Sequence, residues 1–307
     1  MSATSESRSL ATAAEAAAGC MLCGGQRQVR HFGGSGAAAA ADSPATYRIT
    51  HSERRLVGSI VRCVDCGMVS LPLHDLAPVA YEDAADPYYL EQADQRIVNA
   101  HRLLDMVPRG GRLLEIGCAS GFLLLAARER GFATQGVEMS AWASAHAREQ
   151  YGLDVRSGRL EDLNLPAATY DVVVLADVIE HLHDPRRTIQ HIHRVLRPGG
   201  VLLLLTPDVG SLTARVLGRR WWGLLDDHYF YFSRATLRRL LTDEGFAIER
   251  ITALGRVFPL SHWVFKLQPY GRALHAAVAA MTRALRIDGR QIAINLGDQM
   301  ACVARKK

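Results

Sequence analysis

Leu113-Leu114-Glu115-Ile116-Gly117-Cys118-Ala119-Ser120-Gly121-Phe122-Leu123-Leu124 decides how this chain folds. A short apolar run over 112–116 ends in a glycine turn, and an apolar, Ala-rich stretch up to residue 130 suits a helix. Strand, turn and helix in that order open a doubly wound α/β fold. Glycine belongs in such a turn because it tolerates positive φ and lets a ligand approach the backbone closely. Gly117 and Gly121 stand four apart, and Cys118-Ala119-Ser120 leaves no central glycine to receive a pyrophosphate, so this is not the dinucleotide pattern. Glu115, at the strand end, would repel phosphates but suits a cationic ligand.

Thr134-Gln135-Gly136-Val137-Glu138 reads as the next strand and ends in an acid 17 residues after Gly121. An acid in that position accepts both hydroxyls of a ribose. Together, the two acids and the glycine turn suit a nucleoside with a positively charged tail. Read from the residues alone, an unrelated α/β nucleotide site or a degenerate fold that binds nothing stays open. In these motifs the chain resembles the class I S-adenosylmethionine-dependent methyltransferases. The resemblance implies a Rossmann-like doubly wound sheet. It also implies that Glu115, Gly117, Cys118 and Gly121 hold the methionine part of the cofactor and Glu138 its ribose.

Cys20-Met21-Leu22-Cys23-Gly24 and Cys63-Val64-Asp65-Cys66-Gly67 form a second signal, with residues 24–62 between the pairs. Two such knuckles supply four thiolates for a tetrahedral structural zinc. The long gap is absorbed by the Gly/Ala-rich, loop-like stretch 33–43. A redox pair, unpaired thiols or a nucleic-acid reader are the competing readings. Redox Cys-x-x-Cys usually comes singly, and the Lys/Arg density here is too low to favour nucleic acid. The resemblance points the same way: bacterial methyltransferases of sugar, polysaccharide or secondary-metabolite pathways carry such a zinc cap, followed by a Tyr-containing segment. Here that segment is Tyr81 and Asp86-Pro87-Tyr88-Tyr89, which makes Tyr88 and Tyr89 candidate lid residues.

With 307 residues and 49% hydrophobic content, the chain has room for a full domain, a sizeable core and additions. A net charge of +5 is compatible with an acidic substrate without demanding one. No apolar run reaches the ~18 residues that span a bilayer, and the N-terminal stretch is too weakly apolar for a secretory signal, so a cytoplasmic location is expected. The expected division is a disordered tail over 1–18, a zinc-binding module over 19–75 and a methyltransferase domain over 76–307. Within that domain the cofactor core covers about 91–206 and a substrate or cap region about 207–290.

Further motifs fill in this frame. An amphipathic helix is expected over 90–108, a capped helix over 140–151 and a short strand over 154–158. In the family the next turn meets the adenine, here through Leu160 and Glu161 or Asp162, although 158–160 departs from the usual Gly-Asp-Ala pattern. The β-branched run at 170–176 reads as a central strand. Asp177, Glu180 and His181 follow it, at the strand end where ligands of such sheets bind, which places the cluster over the cofactor's methyl group and Asp177 among the expected cofactor-binding residues. Some quinone-pathway O-methyltransferases of the family bind a divalent metal through such an array; the plainer alternative is that Glu180 and His181 order the loop and cap the next helix. A helix over 186–197 should then lead into a strand at 201–206.

Beyond the core, Arg219-Arg220-Trp221-Trp222 falls where the family builds its substrate wall: it suits a planar or sugar ring with an anionic group, or else ordinary packing. His228 precedes a helix capped by Ser233, where the family's His faces the active site. A hydroxyl acceptor gains from a base tuned near neutral pH, which makes His228 the first candidate and His181 the second. Apolar and aromatic residues over 257–285 predict inserted helices serving as a lid, a homodimer face or a surface touching a membrane that carries a lipid-linked substrate. Residues 300–304 should close the fold as a strand at the sheet edge. The expected function is methyl transfer from S-adenosylmethionine to a small-molecule acceptor, a hydroxyl of a sugar or natural product. A nucleic-acid modifier and a non-catalytic zinc-stabilised partner protein are the alternatives.

Overall fold

Both cysteine pairs sit in tight turns: Gly24 N donates to Cys20 O at 2.7 Å and Gly67 N to Cys63 O at 3.0 Å. Each glycine takes a positive φ, 72° and 77°, which a side chain would resist. The computed structural model describes residues 19–32, 59–72, 81–225 and 227–307. The expected tail, 1–18, and the loop expected over 33–43 lie outside the described residues. Around the cysteines, β1 (Gln28–Phe32), β2 (Ile60–Cys63) and β3 (Val69–Ser70) pair antiparallel in chain order.

Where one helix is expected over 90–108, the chain makes two, α1 (Pro87–Glu91) and α2 (Ala93–Leu104). Asp86 caps the first by accepting from Tyr89 N at 3.2 Å, with Pro87 at the first helical position, so the helix starts early. At Gln92 a backbone of φ −98° and ψ 13° breaks the run.

The central sheet then forms from β4 (Gly111–Ile116), β5 (Phe132–Glu138), β6 (Val155–Ser157), β7 (Tyr170–Ala176) and β8 (Leu196–Pro207). Helices α3 (Phe122–Glu129), α4 (Ala141–Tyr151) and α5 (Pro185–Val195) are the crossovers, and all neighbouring pairs from β6 to β8 are parallel. The helix expected over 186–197 ends two residues sooner, because Leu196 is already extended and its backbone enters β8. Alternation along β7 feeds two cores: Val173 and Leu175 pack with Ile189 and Ile192 of α5, while Val172 and Val174 pack with Leu103, Leu104 and Leu124.

Past β8 come α6 (Leu212–Leu217), β9 (Phe230–Tyr231), α7 (Arg234–Asp243) and β10 (Phe246–Ala253). A small hairpin, β11 (Arg256–Pro259) with β12 (Gln291–Ile294), encloses α8 (Leu260–Phe265) and α9 (Arg272–Ala284) before β13 (Gln299–Lys306) ends the chain. The sheet order is β10-β13-β8-β7-β4-β5-β6. The final strand is therefore not at the edge, as the sequence suggests, but inside, antiparallel to β8 and β10. Its composition agrees: Met300, Ala301, Cys302 and Ala304 are fully buried. β10 takes the edge instead, so the central sheet draws on residues well past 206.

The cysteine module is not separate from this body. β9 adds to β3 as the fourth strand of the cysteine sheet, pairing Val69 with Tyr231 and Ser70 with Phe230. Leu22, Ile60 and Met68 share one buried cluster with Phe230, Phe232 and the β7 residues. Truncating Phe232 alone would cost about 3–5 kcal/mol by the cavity it leaves.

Candidate active site

A cleft of about 1070 Å³ opens at the carboxyl ends of the parallel strands, where Glu115, Gly117, Glu138, Asp177, Glu180 and His228 all line it. The turn after β4 takes positive φ at Gly117 (69°), Ala119 (45°) and Gly121 (85°). Gly117 N and Cys118 N donate to Val137 O at 2.8 and 3.2 Å, which ties the turn to β5. A Cβ at Gly117 would lie 2.6 Å from Val178, and one at Gly121 would collide with Leu153. Gly121 caps α3 and is not among the described residues lining the cleft, so its part is to shape the turn. Cys118 lines the cleft with its thiol buried, and burial pushes that thiol well above its usual range.

The two acids are held differently. Glu138 accepts from Ala119 N through Oε2 and from Ser140 N through Oε1, both at 2.7 Å. Burial raises its pKa and these amides oppose the rise. Glu115 is 5% exposed, and its Oε2 has no hydrogen-bond partner among the described residues. Burial first, then the charge of Glu138, drive Glu115 well above the ordinary carboxylate range. A buried, unpartnered acid oxygen in a cleft is a place for a cationic donor. Beside them Tyr89 stacks on Phe122 with ring centroids 5.6 Å apart, and the Arg96 guanidinium lies 3.5 Å from the Tyr89 ring centre. Tyr88, the other candidate lid residue, is half exposed. Leu160 and Glu161 form a 3-10 turn after β6 and line the cleft, with Glu161 accepting from the Thr188 hydroxyl.

Asp177 adopts a φ of 55° and turns both carboxylate oxygens to Arg256 Nη2, at 2.6 and 2.5 Å. Of the two readings of Asp177, Glu180 and His181, this fits the plainer one better than a metal array: Asp177 is committed to an arginine 79 residues away that the local motif does not reveal. The ligating atoms that converge are those of Glu180, His181 and His228, all within 4.8 Å of one another. The two candidate bases thus stand together, with ring centroids 4.6 Å apart.

Their surroundings assign different chemistry. His228 is buried and its Nδ1 lies 3.1 Å from Gly223 O, so Nδ1 donates and Nε2 keeps the lone pair. Burial, then His181, lower its pKa to about 4, which keeps it neutral and weakly basic. His181 Nδ1 likewise faces Asp227 O at 2.9 Å. Glu180 accepts from Thr206 through Oε2 at 2.9 Å, leaves Oε1 unpartnered among the described residues and is pushed up to about 7 by burial. Burial thus brings Glu180 up towards neutral pH and takes His228, the first candidate base, below it.

The cysteines converge too. All four Sγ atoms lie within 4.8 Å of one another, with Cys20–Cys66 at 3.5 Å and Cys23–Cys63 at 3.6 Å. Tetrahedral zinc–thiolate bonds place sulfurs about 3.8 Å apart, so the donor set fits that ion.

A family model described as a methyltransferase domain matches residues 89–251, more than half of the chain, and the chain belongs to that family. A probable S-adenosylmethionine-dependent methyltransferase of Mycolicibacterium smegmatis is 36% identical over 141 residues, 46% of this chain and 53% of that protein. Malonyl-[acyl-carrier protein] O-methyltransferase of Serratia marcescens is 33% identical over 46% of this chain and 56% of its own length. The chain thus spans about half the length of the curated relatives it matches. Among solved structures, an S-adenosylmethionine-dependent methyltransferase of Thermotoga maritima, a possible histamine N-methyltransferase, aligns with a TM-score of 0.50. It is 19% identical over 72% of this chain and 95% of its own, which shows the shared fold. Among the described residues no helix is long and apolar enough to cross a membrane.

Proposed function

We propose that the protein methylates a hydroxyl of a small-molecule acceptor, of the sugar or natural-product class, with S-adenosylmethionine as donor. The observation that carries this is the buried Glu115 carboxyl beside Glu138, with its Oε2 unpartnered among the described residues, under the glycine turn of a chain in the methyltransferase family. Glu115, Gly117 and Cys118 hold the methionine end, and the free lone pairs of Glu138 take the ribose hydroxyls. Leu160 and Glu161 border the adenine. Gly121 supports the turn from behind. Bound there, the cofactor supplies an electrophilic methyl group on a sulfonium that leaves without acid assistance.

The chain's own task is alignment and proton removal. The Glu180, His181 and His228 cluster receives the acceptor's hydroxyl proton, with Glu180 as the stronger acceptor near neutral pH and His228 kept neutral beside it. Four thiolates from Cys20, Cys23, Cys63 and Cys66 hold a structural zinc. Burial alone would raise the Cys20 and Cys66 thiols, and a divalent cation reverses that preference. All four positions are then filled by sulfur, so this ion does no chemistry on the substrate. A labelled methyl donor screened against acceptor hydroxyls tests the reading. Transfer to none of them, together with no binding of S-adenosylhomocysteine, would refute it.

A further inference from the structure

The charges lining the cleft divide in part by region; Arg96, Arg159 and Arg256 line it as well, Arg256 paired with Asp177 and Arg96 over the Tyr89 ring. The strand ends contribute the acids Glu115, Glu138, Glu161, Asp177 and Glu180. The cap region contributes Arg219, Arg220, Lys266 and Arg272. Its acids are already engaged: Asp298 accepts from Trp221 Nε1 at 3.2 Å, and Asp227 faces His181 at 3.6 Å. None of the four cap cations has an ion pair or a side-chain hydrogen bond among the described residues. Tyr270 OH donates to Arg220 O at 2.8 Å, which joins the Arg219-Arg220 turn to the segment between Lys266 and Arg272.

Such a division is electrostatically purposeful. A donor with a sulfonium and an ammonium belongs with the acids. The opposite half repels it and concentrates positive potential. Burial first, and then Arg256, lower the pKa of Lys266, while Asp298 acts to raise it. His262 nearby is driven to about 4 by burial, then by Lys266, Arg256 and Arg96, so it adds no charge of its own. Asp298 is the acid whose charge favours the Lys266 ammonium, but it makes no ion pair with it, and a bound anion would offset the remaining cost of burying that charge. At about 1070 Å³ the cleft exceeds the ~300–1,000 Å³ of a single drug-sized ligand, which leaves room for an acceptor beside the donor.

We propose that the cap half of the cleft is an oxyanion site, in which Lys266 and Arg272, with Arg219 and Arg220, hold a phosphate or carboxylate of the acceptor while Trp222 and Trp263 flank its ring. This rests on the methyltransferase reading above and narrows its acceptor to an anionic ring compound. Cation and aromatic partners at one wall give such a ligand both charge pairing and a stacking face.

The test is calorimetric titration of the full-length protein, saturated with S-adenosylhomocysteine, with sodium pyrophosphate and separately with malonate. At least one should bind, and the tighter of the two identifies the oxyanion. Lys266→Met should weaken it by about tenfold or more, and Arg272→Gln by about threefold, from loss of charge-assisted hydrogen bonds. Lys266→Arg should bind within about threefold of the unaltered protein, which guards against a misfolded Lys266→Met. All variants should hold S-adenosylhomocysteine unchanged. Binding of neither anion, or equal binding by Lys266→Met and Arg272→Gln, overturns the site. If S-adenosylhomocysteine fails to bind while the anion binds the free protein, it is the donor assignment that fails and the oxyanion site that stands.

Discussion

The amide of Leu71 donates to the carbonyl of Tyr229 across 2.9 Å, fastening the cysteine module to the residue that follows His228. With Val69–Tyr231 and Ser70–Phe230 beside it, the cysteine sheet backs the segment that carries Asp227 and His228 into the cleft, without lining the cleft itself. If zinc holds that sheet together, its loss should reach the chemistry. Cys63→Ser should lower the melting temperature by several degrees and cut turnover roughly tenfold, with S-adenosylhomocysteine affinity nearly intact. Elemental analysis should find about one zinc per chain. A metal-free preparation that melts and turns over normally would show the sheet needs no ion.

Glu180 sets the expected pH dependence. Its carboxyl ionises near 7 in the folded protein, against an ordinary value of 4.5. Turnover should therefore rise as pH increases through about 7, where the base becomes available. Glu180→Gln should lower turnover roughly 10²–10⁴-fold and flatten that rise. Stability runs the opposite way. Between those two values the folded state keeps a proton that the unfolded chain has lost, so stability present at pH 4.5 is lost as pH climbs to 7, by at most about 3 kcal/mol. Glu180→Gln should remove that slope. A pH–rate profile identical in the variant and the parent would assign the proton elsewhere.

Much of this was legible in the chain itself. The β-branched run of β7 reads as a central strand, because parallel strands buried on both faces need continuous apolar residues, and the glycine turn after β4 reads as the start of a doubly wound fold even where its ligand stays open. The two Cys-x-x-Cys-Gly motifs marked out four thiols that come together in space, without naming what they hold. What local sequence hides is distant partnership. Nothing near Asp177 announces Arg256, so local sequence leaves a metal array open beside the plainer reading. The inward position of β13 depends on which neighbour offers an unpaired edge, and its short apolar run suits an edge as well as a centre. Glu180 reads as a loop acid until its burial beneath Thr206 and the two histidines is known.

Gly121 offers a separate check on its structural part. Gly121→Ala forces a φ of 85° on a residue with a side chain and drives its Cβ into Leu153. The backbone term alone costs about 1–2 kcal/mol. Thermal melts should show a destabilisation at least that large, with cofactor affinity falling through the displaced turn. An unchanged melting temperature would mean the turn relaxes freely.

The most direct test of the central claim, that the acids under the glycine turn hold the methyl donor, is calorimetry with S-adenosylhomocysteine. Burial, then Glu138, raise the pKa of Glu115 well above the ordinary carboxylate range, and a cationic ligand head favours its ionised form. Binding at one site per chain should therefore release protons, seen as heats that change with the ionisation enthalpy of the buffer. Glu115→Gln should abolish that release. Glu138→Ala should weaken binding by about tenfold or more through loss of charge-assisted bonds to the ribose, with its melting curve recorded as the control for the Ala119 and Ser140 amides it leaves uncapped. Full-affinity binding by a folded Glu138→Ala variant, or no binding by the unaltered protein, would contradict the account.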